Sequence, residues 1–194
     1  MFKNFNGRFV LGSTSPRRRD ILKMVDLEFV QKSPQFDETE LMKRTDLSPE
    51  NLVKLIAENK AENVADLEAT DFLICCDTVI ASGAQIFGKP ADRTQQLERL
   101  KSMNGGSHSV FSGVCLKYKN KTRSFSVESK VNFGDNKEEL LEWYVSTGDG
   151  MDKAGGYGLQ SAGAVLVKSI EGCYYNVMGL PLHQLLREID LLLE

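Results

Sequence analysis

Histidine and cysteine are too few and too scattered in this chain for a nitrogen- or sulfur-bound metal centre. Its 194 residues hold only His108 and His183, and four cysteines, Cys75, Cys76, Cys115 and Cys173, with no C-x-x-C pair. That argues against a zinc site and against a disulfide framework. Any metal has to be held by carboxylates, the donors that suit magnesium or manganese. No run approaches the roughly 18 apolar residues of a membrane span. Residues 1–10 lack the apolar core of a secretory signal, so the chain reads as cytoplasmic. An excess of positive charge is missing too: 24 Lys and Arg stand against 27 Asp and Glu, for a formal net charge of -3. A broad attraction to nucleic acid or to an anionic membrane has no support, and an anion must be bound by a local cluster of cations. What remains is an ordinary globular composition, 41% hydrophobic and 26% charged, in a length that fits one domain over 1–194.

Apolar periodicity orders the chain. Residues 9–11 read as a short buried strand, followed by Ser15 as helix cap and Pro16 as first helical residue, with Ile21, Leu22 and Val25 inward. Ser48-Pro49 opens a second helix, which the spacing of Leu52, Val53, Ile56, Ala57, Val64 and Leu67 extends. Residues 72–81 are an apolar run fit for a central strand, 95–103 a helix, and 110–118 with 122–133 a long antiparallel hairpin. Asn136 is expected to cap a helix through Val145; a glycine-rich loop over 149–163, a strand over 164–170 and a terminal amphipathic helix over 181–193 complete the pattern. Strands alternating with helices around one hairpin indicate an α/β domain with a mixed sheet.

Several residues break these local rules. Arg17, Arg18 and Arg19 sit in the first turn of a helix, where the dipole disfavours cations. An anion on the free N–H groups and the Gly12-Ser13-Thr14-Ser15 loop would reverse that penalty; the alternative is a solvated basic patch. Lys60 falls inside the apolar stripe of its helix and needs an anionic partner; the alternatives to a functional role are a structural ion pair and a side chain that snorkels to the helix edge. Asp77 interrupts Phe72-Leu73-Ile74-Cys75-Cys76 and Val79-Ile80. A carboxylate there is paired, metal-bound or shifted in pKa, or else it ends the strand and caps a turn. Residues 83–89 have the spacing of a P-loop, but Pro90 follows the lysine where a magnesium-binding hydroxyl is required, which excludes that motif. Lys89 on its Gly-Lys-Pro turn is a phosphate contact or an exposed lysine. The Asp152–Gln160 loop can approach a flat ligand closely, and His108 reads as a hydrogen-bonding strut.

The motifs, in their order, resemble the Maf nucleotide pyrophosphatases over nearly the whole chain. Ser13-Thr14-Ser15-Pro16-Arg17-Arg18 is similar to the family's signature loop, Asp37-Glu38-Thr39 to its acidic pair and Glu58-Asn59-Lys60-Ala61 to its helix lysine. Asp77-Thr78-Val79, Gly88-Lys89-Pro90, the 105–113 and 152–160 segments and Asn176-Val177-Met178-Gly179-Leu180-Pro181 continue the series. The resemblance implies an elongated, two-lobed α/β fold with a mixed central sheet and a substrate cleft between the lobes. It further implies hydrolysis of a nucleoside triphosphate to monophosphate and pyrophosphate with a divalent cation, Mg2+ or Mn2+. Asp77 would be the general base and share the metal with Glu38; Ser13, Ser15, Arg17, Arg18, Lys60 and Lys89 would hold the phosphates; Thr78 and Gln160 would select the base. Arg17, Thr78 and Gln160 together resemble the branch acting on dTTP and UTP. The departures are Gly12, Cys76 and Gly156 in place of alanine and Ser161 where glycine is usual, and they bear on substrate preference. A purine-directed house-cleaning pyrophosphatase and a nucleotide-sensing regulator are the alternatives. A homodimer is implied, with neither nucleic acid nor membrane as partner.

Overall fold

The computed structural model describes residue 2 and residues 5–194; of the 1–10 stretch read above, Met1, Lys3 and Asn4 lie outside the described residues. In chain order the elements are β1 (Arg8–Gly12), α1 (Pro16–Met24), β2 (Phe29–Lys32), α2 (Thr39–Met42), α3 (Pro49–Glu62), β3 (Asp71–Ser82), β4 (Gln85–Phe87) and α4 (Arg93–Met103). There follow β5 (Ser107–Tyr118), β6 (Lys121–Phe133), α5 (Glu138–Ser146), two 3-10 turns (Ala154–Gly156 and Ala162–Leu166), β7 (Val167–Glu171), α6 (Tyr174–Val177) and α7 (Leu182–Leu193). Among the described residues seven strands form one mixed sheet in the order β2-β1-β3-β5-β6-β7, with β4 paired to the end of β3. The α/β class and mixed sheet expected from the sequence are therefore present. No helix among the described residues is long and apolar enough to cross a membrane.

By its contacts the chain divides into two compact units, Met1–Asp77 with Ser112–Val127 and Gly179–Glu194, and Thr78–Phe111 with Glu128–Met178. In the first, β1 lies parallel to both β2 and β3, pairing Phe9 with Phe29 and with Phe72. Parallel strands covered on both faces read as continuous apolar runs, and Val10, Leu11, Leu73 and Ile74 are accordingly inaccessible. Ser48 caps α3 by accepting from the Asn51 N–H at 3.3 Å, and Pro49 supplies a residue preset for the first turn. In the second unit β4 turns back antiparallel on β3, pairing Phe87 with Ile80, while β7 pairs antiparallel with β6. Leu100, Met103, Val131, Phe133, Leu141, Tyr144 and Leu166 form its core.

Several boundaries differ from the sequence reading. The second helix stops at Glu62, so Val64 is buried beyond its end and Leu67 is exposed. Asn63 ends it because its carbonyl accepts from the Gln35 N–H at 2.8 Å instead of a later turn. Asn136 is not the cap of α5. Its side chain donates to Asn104 Oδ1 and to the Gly134 carbonyl, and Lys137 takes the cap position without a side-chain bond. α4 begins two residues early, where Asp92 accepts from the Gln95 N–H at 2.8 Å. Residues 164–166 belong to a 3-10 turn rather than to β7, and β2, β4, α2 and α6 were absent from the sequence reading because four residues or fewer carry too little periodicity.

Two features of the first unit lead to measurable outcomes. A Cβ on Gly113 of β5 would lie 2.3 Å from the Val53 carbonyl, inside the backbone of α3. Gly113→Ala is expected to cost about 3 kcal/mol through overpacking, read as a fall in the urea midpoint. At the start of β3 the buried Asp71 carboxylate accepts from Arg8 Nε at 2.9 Å and Nη2 at 2.7 Å, and from the Glu68 N–H at 2.9 Å. The Arg8 guanidinium foremost holds its pKa below the usual range. A depressed folded pKa stabilises above the unfolded value of about 4 and loses that contribution as pH falls through the folded value. Asp71→Asn should therefore be less stable than the wild type at pH 7, with the two urea midpoints converging as the pH is lowered towards 3.

Candidate active site

Within the first unit, Lys60 and Asp77, which broke the local pattern, meet just beyond the point where the β1–β3 ladder stops. Alternate residues of a strand share a face, so Leu73, Cys75 and Asp77 point the same way, and Leu73 and Cys75 pack with Ala57, Ala61 and Val64 beside α3. The β1–β3 ladder ends at Gly12 and Cys75, two residues short of Asp77. Lys60, in the last turn of α3, donates from Nζ to Asp77 Oδ1 at 2.5 Å and forms an ion pair with Glu38 Oε2. Lys60 and Asp77 keep only 15% and 9% of their side-chain exposure, and Glu38 keeps 37%. Burial lifts the Asp77 carboxyl above its ordinary value; Glu38 adds to that, while Lys60 and Arg18 oppose it. Burial works against the Lys60 charge, and so does Arg18, yet Asp77 and Glu38 together hold the ammonium above its ordinary pKa.

The neighbouring motif residues divide into those that serve this pair and those that shape the backbone. Asp37 Oδ1 accepts from the Thr39 N–H at 3.0 Å and the Thr39 hydroxyl at 2.5 Å, a local turn that presents Glu38 at the cap of α2. Arg18 is buried: Nε donates to the Gly179 carbonyl at 2.8 Å and Nη1 to Ser13 Oγ at 3.1 Å. That excludes a purely solvated basic patch. The three arginines nonetheless have separate surroundings, since Arg19 pairs with Asp20 at the surface and Arg17 is half-buried. Ser15 caps α1 in position only; no side-chain cap bond is made, and its N–H instead donates to Ser13 Oγ at 3.2 Å. Gln31 Nε2 donates to the Ser13 carbonyl at 2.6 Å, fixing the loop after β1 from β2.

Thr78, Lys89 and Gln160 belong to the second unit. Thr78 is half-buried, while Lys89 and Gln160 are exposed. The turn that carries Lys89 is fastened through the Gly88 carbonyl, which accepts from the Gly155 N–H at 2.9 Å and from Arg99 Nη1 at 2.8 Å. Gln96, wholly buried, donates to the Gly156 carbonyl at 2.8 Å. The lysine turn and the glycine loop are thus one fastened piece. His108 is the strut expected: Nε2 lies 2.7 Å from the Tyr157 hydroxyl, and burial drops its pKa to about 4, so the ring stays neutral.

The family is decided by comparison over this same stretch. A sequence profile described as Maf-like protein matches residues 8–192. The chain belongs to the Maf-like family. Among curated relatives, the dTTP/UTP pyrophosphatase of Bacillus cytotoxicus is 36% identical over 182 residues, covering 94% of each chain. That of Symbiobacterium thermophilum is 39% identical over 91% of this chain and 90% of its own. That of Pyrococcus furiosus is 36% identical over 95% of both.

For this Maf-like chain, Gly179 is the site residue that sequence reasoning missed as a contact. It lies at φ 100°, and its carbonyl accepts from Arg18 and from Cys76 Sγ, the latter at 3.2 Å. Its place in the Asn176–Pro181 motif was a signal for the segment, though not for the contact with Arg18. Among the described residues no group of three or more His, Cys, Asp or Glu is arranged to hold a metal ion. Glu38 and Asp77 together would offer a cation two hard oxygen donors, one oxygen of each being engaged by Lys60.

Removing Lys60 tests this arrangement. Lys60→Met leaves two carboxylates facing each other with less charge to balance them, which costs roughly 3 kcal/mol for a broken, largely buried pair. Losing the cation raises the folded pKa of Asp77 further. A raised folded pKa penalises the fold once the pH climbs above the unfolded value of about 4. The deficit in urea midpoint should therefore be larger at pH 7 than at pH 4; an equal deficit at both would show that the carboxylates do not depend on Lys60.

Proposed function

We propose that this chain hydrolyses dTTP and UTP to the nucleoside monophosphate and pyrophosphate, with 1–194 acting as one catalytic domain. The observation that carries the reading is the junction of Glu38 and Asp77 on the Lys60 ammonium, with Arg18 bearing electrostatically on both Lys60 and Asp77. Full-length relatives carrying the name dTTP/UTP pyrophosphatase support the bond and the bases. The four thiols are free, which suits the reducing cytoplasm.

Asp77 takes the proton from a water that attacks the α-phosphorus, a task favoured by a carboxyl whose pKa burial lifts above its ordinary value. Lys60 holds Asp77 in place and shares the charge of the phosphate chain. Ser13, Ser15, Arg17, Arg18 and Lys89 bind that chain and stabilise charge on the departing pyrophosphate. Thr78 and Gln160 select the base. Arg18 and Lys60 are already balanced by Glu38 and Asp77, so a polyanionic substrate requires further positive charge. A divalent cation held by Glu38 and Asp77, Mg2+ or Mn2+, would supply it and acidify the water. Two acids cannot fill the coordination of such an ion, so the triphosphate and water would have to provide the rest.

The test is product analysis with dTTP, UTP, CTP and modified nucleotides in ¹⁸O-water with Mg2+ or Mn2+. Attack at the α-phosphorus puts the label in the monophosphate and none in pyrophosphate. Asp77→Asn should lower turnover by about 10²–10⁴-fold with its circular dichroism unchanged. Label in the pyrophosphate, or near-wild-type turnover by Asp77→Asn, removes the proposed chemistry.

A further inference from the structure

The loop that carries Gln160 is closed by a hydrogen-bond network that no assigned role explains. Asp149 Oδ2 accepts from the Ser161 hydroxyl at 2.5 Å and from the Tyr144 hydroxyl at 3.0 Å. Tyr144 is wholly buried in the core of the second unit, and its oxygen accepts in turn from the Gly158 N–H at 3.0 Å. The second oxygen, Asp149 Oδ1, takes Lys153 Nζ at 3.1 Å, and the same ammonium reaches the Asp149 carbonyl and Asp152 Oδ1. Ser161 Oγ also lies 3.2 Å from the Gly158 carbonyl. One hydroxyl proton serves one acceptor, and the shorter, charge-assisted bond to Asp149 is the stronger. A single carboxylate thus ties residues 149, 153 and 161 to a core tyrosine, on both flanks of the exposed Gln160. Burial alone would lift the Asp149 pKa, yet these donors bring it below the ordinary value, as expected of a fully engaged carboxylate.

We propose that the Ser161–Asp149–Tyr144 network is a latch that positions Gln160 for base recognition, making Ser161 and Asp149 specificity-setting positioning residues. The proposal rests on the reading that Gln160 selects the base. Ser161 is the informative member because it stands where the family resemblance leads one to expect glycine, which cannot make this bond. Its φ of -130° and ψ of -156° are open to any side chain, so replacing it disturbs the backbone little. An exposed amide discriminates between bases only when its two ends are held in register with the ring edge, and a loop free to rotate by one hydrogen bond loses that register.

The experiment measures kcat and KM for dTTP, UTP and CTP in Ser161→Gly, Ser161→Ala, Ser161→Thr and Gln160→Ala. Loss of one such bond is expected to raise KM for dTTP and UTP by about fivefold and to lower their preference over CTP by a similar factor. In both the Gly and Ala variants kcat should stay within about twofold, the size of change that leaves the barrier to chemistry nearly intact. Ser161→Thr, which keeps the hydroxyl, should restore the wild-type values, and Gln160→Ala should flatten the preference on its own. If Gln160→Ala flattens the preference while Ser161→Gly and Ser161→Ala keep it, the latch is wrong and the base-selection reading stands. If Gln160→Ala leaves the preference intact, Gln160 does not select the base and the latch falls with that assignment.

Discussion

The first unit is organised around one ammonium that holds two carboxylates, one buried and one partly open to water. Glu38 and Asp77 repel each other, and neither the middle of β3 nor the cap of α2 offers a backbone reason for them to converge. Lys60 supplies that reason from the last turn of α3, where the helix dipole also favours a cation. Partial burial makes the attraction stronger than it would be at the surface, and it makes an unpaired member costly. The surrounding architecture follows from that constraint. The parallel ladder of β1 and β3 stops before Asp77, the Asp37–Thr39 turn aims Glu38, and Arg18 is anchored by Gly179 and Ser13. Two positive and two negative side chains are close to neutral as a set, which allows them to sit together before any ligand arrives.

How far this was legible in the sequence depended on whether a residue contradicted its neighbours. Lys60 and Asp77 were visible because each interrupts an apolar pattern, and burial obliges such a residue to find a partner. Glu38 contradicts nothing locally. Only the resemblance to the family separated it from Asp37, and the geometry then gave the two acids different work. The arginine run announced an anomaly but not its solution: one guanidinium is buried, one pairs at the surface, and the buried one is held by a carbonyl 161 residues away. Helix ends were least legible. Val64 and Leu67 keep helical spacing past the true stop at Glu62, because the competing bond from Gln35 comes from a distant segment that periodicity does not register.

The second unit makes a complementary point about glycine-rich loops. Glycine gives the 149–163 backbone freedom to approach a flat ligand closely, yet the loop is pinned at several places. Gly155, at φ 69°, lies against Ile80 and donates to the Gly88 carbonyl; Gln96 holds Gly156; Asp149 holds both flanks of 160. The glycines give access to unusual backbone angles, and side-chain bonds then remove most of the freedom that access implied. A loop built this way presents a small number of exposed groups, Gln160 among them, from a rigid base.

β3 itself shows how the same residue type is put to two uses. Asp71 and Asp77 lie six residues apart on one face of one strand, and both are buried. Asp71 faces an arginine fork and a backbone N–H, and its pKa is depressed; every part of it is committed to holding the first unit together. Asp77 faces one ammonium shared with a second carboxylate, and its pKa is raised. A carboxylate with a depressed pKa and a full set of donors is a strut that gives up a proton too readily to take one back near neutrality. One whose pKa is raised above its ordinary value binds a proton more readily than such a strut does. Both are buried, but at Asp71 the arginine fork outweighs desolvation, whereas at Asp77 desolvation outweighs the single shared ammonium, and this balance sets the two carboxylates apart.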